Sequence, residues 1–156
     1  MTERDVAEAV ASQLAQRELI LGTVECATEG AVGHRLFDTE DGPAVLGSSL
    51  NVQTVEDAID LLALPTQQFK SGGNFSAKAA RAAARAGRDF LEVDWCLAVW
   101  AEPLPAEAEA VRETVYLALN TGQEMADETL HYDGPSEALH TWLAAQALTF
   151  VQKNLK

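Results

Sequence analysis

The feature that most limits the fold of this chain is a set of short apolar runs, each about the length of one β-strand. The first is Leu19–Val24, and two more follow at Trp95–Trp100 and Thr114–Leu119. A strand that is apolar at nearly every position, as Leu19–Val24 is, is typical of a sheet covered on both faces. The sequence therefore indicates a sheet that lies between two layers of helices.

Helices are predicted before and between these runs. Thr54 is followed three residues later by Asp57, which has the form of a capping box, and Ser76 caps an Ala-rich helix. Gly87 is placed to end that Ala-rich helix. Further helices are expected over about residues 2–17, from about Thr28, and after Gly134-Pro135.

The order of the elements predicts the architecture. A second strand is expected at Ala44–Leu50, and a hairpin at Asn120-Thr121-Gly122 leads into a fifth strand at about Glu124–Tyr132. Helices alternate with strands early in the chain, whereas the hairpin comes late. We therefore expect an α/β fold, a three-layer α/β/α sandwich with a mixed sheet of about five or six strands, in a single domain over residues 1–156.

The charge and the cysteines exclude several classes of function. The chain has 24 acidic and 11 basic residues and a net charge of −13, which repels nucleic acid and anionic membranes. No stretch of 18 apolar residues is present, and the charged N-terminus does not resemble a signal peptide, so a cytoplasmic protein is expected. Cys26 and Cys96 lie far apart without paired spacing, which indicates neither a metal site nor a disulfide. No cofactor is expected.

One local group of charges has the opposite sign. Lys78, Arg81, Arg85 and Arg88 repeat at helical spacing and form a basic stripe on the Ala-rich helix. The stripe is either a solvated helix face or a site for an anion or an acidic partner surface. We favour the solvated face, because such charge runs are usually exposed to water.

Several landmarks occur in an order that belongs to a known family. They are Thr23–Gly30 at the end of the first strand, Gly33-His34-Arg35-Leu36, Gly73-Asn74-Phe75-Ser76, the strand Thr114–Leu119, and a last helix after Gly134. In this order the chain resembles the C-terminal domain of the CinA family over nearly its whole length. Bacterial members of that family include nicotinamide-nucleotide amidohydrolases.

The resemblance assigns roles to the segment after the first strand. The family signature there is Glu-Ser-Cys-Thr-Gly-Gly, with serine as the proposed nucleophile. Glu25, Thr28 and Gly30 match it, whereas Cys26 occupies the nucleophile position and Glu29 replaces a glycine. The resemblance thus implies Cys26 as nucleophile, Thr28 as an oxyanion or positioning group, and Glu25 and Gly30 as substrate-binding residues.

Three other family motifs are degraded. The family has Tyr-Ser-Asn-x-x-Lys after the second strand, but the corresponding stretch, Leu50–Asp57, contains neither tyrosine nor lysine. The motif Gly-Ile-Ala-Gly-Pro corresponds to Trp100–Pro103, which keeps only the proline, and Gly-Asp-Arg corresponds to Gly134-Pro135-Ser136. New carboxylates at Glu29 and Glu102 would repel a phosphate, so binding of a nicotinamide nucleotide in the family's manner is not expected.

Two functions remain open. The first is a catalytically lapsed domain that keeps its fold for binding or assembly. The second is an active amidohydrolase of altered specificity, with Cys26 as a nucleophile activated at a helix start. We favour the first, with Cys26 as a small buried residue, because Glu25 and Glu29 would raise the pKa of its thiol.

The remaining expectations concern histidines and partners. His34 lies too far along its helix to serve Cys26 as a base, and no carboxylate–histidine pattern is visible for His131 or His140. Trp95 and Trp100 are five residues apart and so fall on opposite faces of one strand, one in the core and the other at a cleft or subunit interface. The chain is expected to form a homo-oligomer and to bind a small molecule, but no nucleic acid and no membrane.

Overall fold

The computed structural model describes residues 3–67, 69, 73–105 and 107–156. In this part of the chain, five strands form one sheet in the order β2-β1-β3-β4-β5. The strands are β1 (Leu21–Cys26), β2 (Leu46–Val52), β3 (Trp95–Trp100), β4 (Ala110–Asn120) and β5 (Met125–Pro135). β1 is parallel to β2 and β3, whereas β4 is antiparallel to both β3 and β5. The mixed sheet predicted from the sequence is confirmed.

Helices cover both faces of the sheet. They are α1 (Glu3–Gln16), α2 (Ala31–Phe37), α3 (Gly42–Val45), α4 (Val55–Leu62), α5 (Ala77–Leu91) and α6 (Leu139–Asn154), with a 3-10 turn at Ser136–Ala138 before α6. One core cluster includes Leu14 of α1, Leu97 of β3 and Leu143 of α6. The second includes Ala98 of β3 and Ala83 of α5. Two cores on opposite faces of one sheet confirm the three-layer α/β/α architecture.

The two tryptophans of β3 lie on opposite faces of the strand, as their spacing predicted. Trp95 belongs to the first core cluster and Trp100 to the second. The indole Nε1 of Trp100 donates a hydrogen bond of 2.7 Å to the Asn74 carbonyl. Trp100 is fully buried, whereas Trp95 is 7% exposed and lines a depression beside Arg88 and Asp94.

The capping predictions are confirmed at two helix starts. The Thr54 hydroxyl accepts a hydrogen bond from the Asp57 amide at 3.2 Å, and the Ser76 hydroxyl accepts one from the Ala79 amide at 3.1 Å. The prediction that Gly87 ends the Ala-rich helix is wrong. α5 continues to Leu91, and Glu92 ends it in a left-handed conformation.

Gly87 serves packing instead. It is buried in the middle of α5, where a Cβ atom would lie 2.7 Å from both the Cys96 Sγ and the Val24 Cγ2. These distances are shorter than a van der Waals contact, so glycine is what lets α5 lie close against β1 and β3.

The basic stripe is tied to neighbouring elements at two of its residues. Arg81 forms an ion pair with Asp127 of β5 at 2.8 Å. The Arg88 Nε donates a hydrogen bond of 2.7 Å to the Asp94 carbonyl. These bonds agree with the interpretation of the stripe as a solvated helix face. They also link α5 to β5 and to the residue that precedes β3. None of the helices that the structure describes is both long and apolar enough to span a membrane.

Candidate functional site

A cleft of about 300 Å³ lies where the three parallel strands end. β1, β2 and β3 run in the same direction, so the loops that follow Cys26, Val52 and Trp100 meet at one edge of the sheet. Ligands of open α/β sheets generally bind outside this edge. The cleft is lined by Ala27, Glu29, Gln53, Pro103, Leu104, Pro105, Ala108, Ser136 and His140.

The loop between β1 and α2 is organised by a buried carboxylate. Glu25 is only 1% exposed. Its Oε1 accepts hydrogen bonds from the Thr28 hydroxyl at 2.7 Å and the Val32 amide at 3.0 Å, and its Oε2 accepts one from the Gly33 amide at 2.9 Å. A carboxylate can be buried when several donors satisfy it, and the start of a helix favours negative charge. Glu25 therefore caps α2 from inside the fold.

The same loop contains three residues in the left-handed region. Ala27, Glu29 and Gly30 have φ values of 62°, 56° and 73°. A left-handed conformation costs a residue other than glycine roughly 1 kcal/mol or more. Single residues of this kind also end helices, as Glu92 ends α5, whereas several together in one loop are typical of functional sites. At Gly30 a Cβ atom would lie 2.8 Å from the Asn51 side-chain nitrogen, so the exposed Asn51 side chain would have to move to make room.

The residues that the family resemblance assigned to the site lie beneath the cleft rather than in it. Glu25 and Thr28 are buried and bond to each other, so the only hydroxyl proton of Thr28 is already donated. Gly30 is buried and shapes the loop. Instead, the cleft is lined by their chain neighbours Ala27 and Glu29.

Cys26 points into the core between the sheet and helices α4 and α5. It is 0% exposed and packs in the second core cluster. Burial raises the pKa of its thiol to about 12, and the carboxylates of Glu56 and Asp57 contribute to the rise. The direction agrees with the sequence argument, but the carboxylates responsible belong to α4 rather than to Glu25 and Glu29. Among the described residues, no side chain forms a hydrogen bond with the thiol.

A histidine–carboxylate pair that the sequence argument missed lies in the cleft. The His140 Nδ1 is 3.8 Å from the Glu29 Oε2, and the two side chains are 34% and 73% exposed. The residues are 111 positions apart in the chain, so no local spacing could have revealed the pair. The one available signal was Glu29 itself, which replaces a family glycine.

The segment between β3 and β4 forms another wall of the cleft and is fastened at both ends. The Glu102 amide donates a hydrogen bond of 3.2 Å to the Glu113 carboxylate. Burial raises the pKa of Glu113, the nearby Glu102 carboxylate adds to the rise, and this hydrogen bond opposes it. At the other end, the Ser136 hydroxyl donates a hydrogen bond of 2.5 Å to the Ala108 carbonyl.

Metal binding has no support from the described side chains. Among the residues that the structure describes, no group of three or more histidine, cysteine, aspartate or glutamate side chains is arranged to hold an ion. The ionisable groups that line the cleft are Glu29 and His140.

Comparisons with known proteins agree with the sequence resemblance. The model of the CinA C-terminal domain matches residues 3–155. A CinA-like protein of Geobacter sulfurreducens is 30% identical over 149 residues, which cover 94% of this chain and 36% of that protein. The chain thus spans little more than a third of the length of this relative.

Two crystal structures illustrate the shared fold. The competence or damage-inducible protein from Enterobacter asburiae superposes with a TM-score of 0.87 at 20% identity, over 100% of this chain and 99% of that one. A protein of the competence-damaged protein (CinA) superfamily from Escherichia coli gives a TM-score of 0.84 at 20% identity, over 97% and 89% of the two chains.

Proposed function

Since this chain belongs to the CinA C-terminal domain family, we propose that it keeps the family's cleft as a binding site for a small molecule but no longer hydrolyses amides there. Its ligand is held by the loops at the ends of β1, β2 and β3. The fold is retained because it positions those loops.

The state of Cys26 is the observation that carries this proposal. Only a thiolate is an effective sulfur nucleophile, and a thiol with a pKa of about 12 is ionised in about one molecule in 10⁵ at pH 7. The thiol also lies in a packed core, away from the cleft. A substrate in the cleft would not meet a nucleophile at this position.

Retention of binding is supported by the way the family motifs converge. Each of the four segments that correspond to family motifs contributes to the same cleft, through Glu29, Gln53, Pro103 and Ser136. The cleft thus survives as a shape although most of the chemical groups of the motifs have been replaced.

Thiol alkylation and ammonia release test this proposal on one preparation. We expect slow alkylation of Cys26 by iodoacetamide below pH 10, with a rate that rises about tenfold per pH unit and no plateau near neutrality. We also expect no ammonia from nicotinamide mononucleotide. Cys26→Ala and Cys96→Ala, each with one thiol left, assign the alkylation to a position. Fast labelling near pH 7 together with ammonia release that disappears in Cys26→Ala would refute the proposal.

A second candidate is an active amidohydrolase of altered specificity, and the Glu29–His140 pair favours it. A carboxylate beside an imidazole is a common arrangement for a general base. The enzyme's nucleophile would be Cys26, which would have to leave the core to reach the cleft. Hydrolysis of phosphate-free amides that is lost in both His140→Ala and Cys26→Ala would establish this function.

We also propose that the chain forms a homo-oligomer in the cytoplasm. The family resemblance supports self-association, and the full burial of Trp100 within the chain leaves Trp95 as the tryptophan of β3 with exposed area. The net charge of −13 argues against binding to nucleic acid or anionic membranes. Light scattering at several concentrations tests the oligomer, and fractionation of the cells tests the location.

A further inference from the structure

We infer that two copies of this chain associate through the outer surface of helices α4 and α5, with the acidic face of α4 in one copy against the basic stripe of α5 in the other. This inference rests on the homo-oligomer in the proposed function, and it assigns the interface and the symmetry of that oligomer, a two-fold dimer. The stripe is solvated in a single copy, and the surface that it binds is the acidic helix of a second copy.

The opposite charges of the two helices are the first argument. α4 carries exposed carboxylates on Glu56, Asp57 and Asp60, and it has neither lysine nor arginine. α5 carries the basic stripe, in which Lys78 and Arg85 are exposed. Copies with a net charge of −13 repel each other over most of their surface. The stripe is therefore where a second, acidic copy is attracted.

The second argument is that these charges do not pair within one copy. α4 and α5 pack against each other. Among the described residues, however, neither the Arg85 guanidinium nor the carboxylates of α4 (Glu56, Asp57 and Asp60) take part in an ion pair. Asp89 lies one helical turn beyond Arg85 on α5, and no ion pair joins those two side chains either. The guanidinium and the α4 carboxylates are thus available to a second copy.

The direction of the helices selects the symmetry of the dimer. α4 follows the end of β2, and α5 begins beside the end of β3, where the Asn74 carbonyl accepts the Trp100 hydrogen bond. Since β2 and β3 are both parallel to β1, the two helices run in the same direction. A two-fold axis along the helices places each α4 on the α5 of the other copy, acid against base. An axis across the helices would place α4 on α4, where like charges repel.

Exposed apolar side chains on the same two helices are the third argument. Among the described residues, the large apolar side chains with about half of their surface exposed are Phe37, Leu61 and Phe90, at 51%, 50% and 51%. Leu61 and Phe90 belong to the last turns of α4 and α5. Exposed ion pairs alone stabilise a complex little, whereas buried apolar contacts form the centre of an interface. The surface of α4 and α5 offers both kinds of contact to a second copy.

Two charge reversals, studied alone and mixed, test the inference on the full chain. We expect Asp60→Lys and Arg85→Glu each to weaken dimerisation about tenfold at low salt, and less at high salt, in sedimentation experiments. An equimolar mixture of the two variants should form a heterodimer. In that dimer the reversed α4 of one variant faces the reversed α5 of the other, and the two unchanged helices face each other. Native mass spectrometry, with one variant isotope-labelled, identifies the heterodimer by its mass.

Matched controls make the same changes elsewhere on the chain. Glu40→Lys, in the turn after α2, and Lys156→Glu, after α6, reverse exposed charges outside the surface of α4 and α5; neither should change dimerisation. Phe90→Ser should weaken the dimer about tenfold, because each dimer loses two apolar contacts. Phe37→Ser removes an equally exposed ring from the end of α2, which packs in the other core layer, and should have no effect.

The outcomes separate the interface from the oligomer itself. A native chain that sediments as a monomer would overturn both this inference and the proposed homo-oligomer. A native oligomer that neither charge reversal nor Phe90→Ser weakens, or a mixture that forms no heterodimer, would overturn the inference alone, and the homo-oligomer would then use another surface. The proposed loss of catalysis does not depend on any of these results, since thiol alkylation and ammonia release test it.

Discussion

At the residue scale, Glu25 gains its role from contacts that its own motif does not reveal. The family resemblance implies that Glu25 binds substrate. In the structure, its carboxylate accepts hydrogen bonds from three donors inside the chain. The motif correctly located the loop, because a left-handed turn needs residues such as Gly30 close to the strand end. It could not identify which side chains reach the cleft, because Glu29 and His140 meet only through the packing of α6 beside α2.

The cap at Glu25 predicts a large loss of stability for a small chemical change. In Glu25→Gln, one acceptor oxygen becomes an NH₂ group that faces an N–H or O–H donor, and the charge-assisted bonds weaken. We expect the free energy of unfolding to fall by about 2–3 kcal/mol, measured by urea denaturation. Glu29→Gln is the matched control in the same loop, because its carboxylate is 73% exposed; it should change stability by less than about 0.5 kcal/mol. A Glu25→Gln variant as stable as the control would show that Glu25 does not cap α2.

At the scale of elements, the apolar runs predicted the strands well and their ends less well. β3 agrees with the prediction at both ends, whereas β1 begins and ends two residues later than predicted and so includes Glu25 and Cys26. Glu25 is charged, so in the sequence it suggests that the buried strand has already ended. The donors that satisfy its carboxylate lie in the following loop and in α2, and the pattern of the strand alone does not reveal them.

Gly87 gives a prediction whose sign is opposite to that of a helix-propensity argument. Replacing a helix-interior glycine with alanine ordinarily stabilises a helix by about 0.5–1 kcal/mol. Here the new methyl group would lie 2.7 Å from the Cys96 Sγ and the Val24 Cγ2. We therefore expect Gly87→Ala to lower the free energy of unfolding by about 1–3 kcal/mol.

A double-mutant cycle checks the cause of that loss. Cys96→Ala removes one of the two atoms that the new methyl group would meet, so Gly87→Ala should cost less in the Cys96→Ala background than in the native chain. If Gly87→Ala stabilises the native chain, the close packing of α5 on β1 and β3 is not the reason for the glycine.

At the scale of the whole molecule, both cysteines lie in the same core layer between the sheet and helices α4 and α5. Burial raises the pKa of both thiols to about 12, with Glu56 and Asp57 adding to the effect at Cys26. The sequence predicted that the cysteines form neither a metal site nor a disulfide, but it could not place both of them in one layer. That placement follows from the alternation of side chains along β1 and β3, which are direct neighbours in the sheet.

These two thiols predict how stability depends on alkaline pH. Below about pH 9 the thiols are protonated in both the folded and the unfolded chain, so they contribute no slope. Between about pH 9 and 12 only the unfolded chain releases these protons, so the free energy of unfolding falls by about 1.4 kcal/mol per pH unit for each cysteine. Urea denaturation between pH 7 and 11 measures this slope.

Cys26→Ala, Cys96→Ala and the double variant separate the thiols from other groups that titrate at alkaline pH. Each replacement removes buried atoms and lowers stability by an amount that should not change with pH. Above pH 9 each single variant should lose stability less steeply than the native chain, by about 1.4 kcal/mol per pH unit, and the double variant by twice that amount. Curves that stay parallel up to pH 11 would mean that the thiols ionise in the folded chain near their ordinary pKa. In that case Cys26 would be reactive enough to restore the case for it as a nucleophile, and the proposed loss of catalysis would lose its main support.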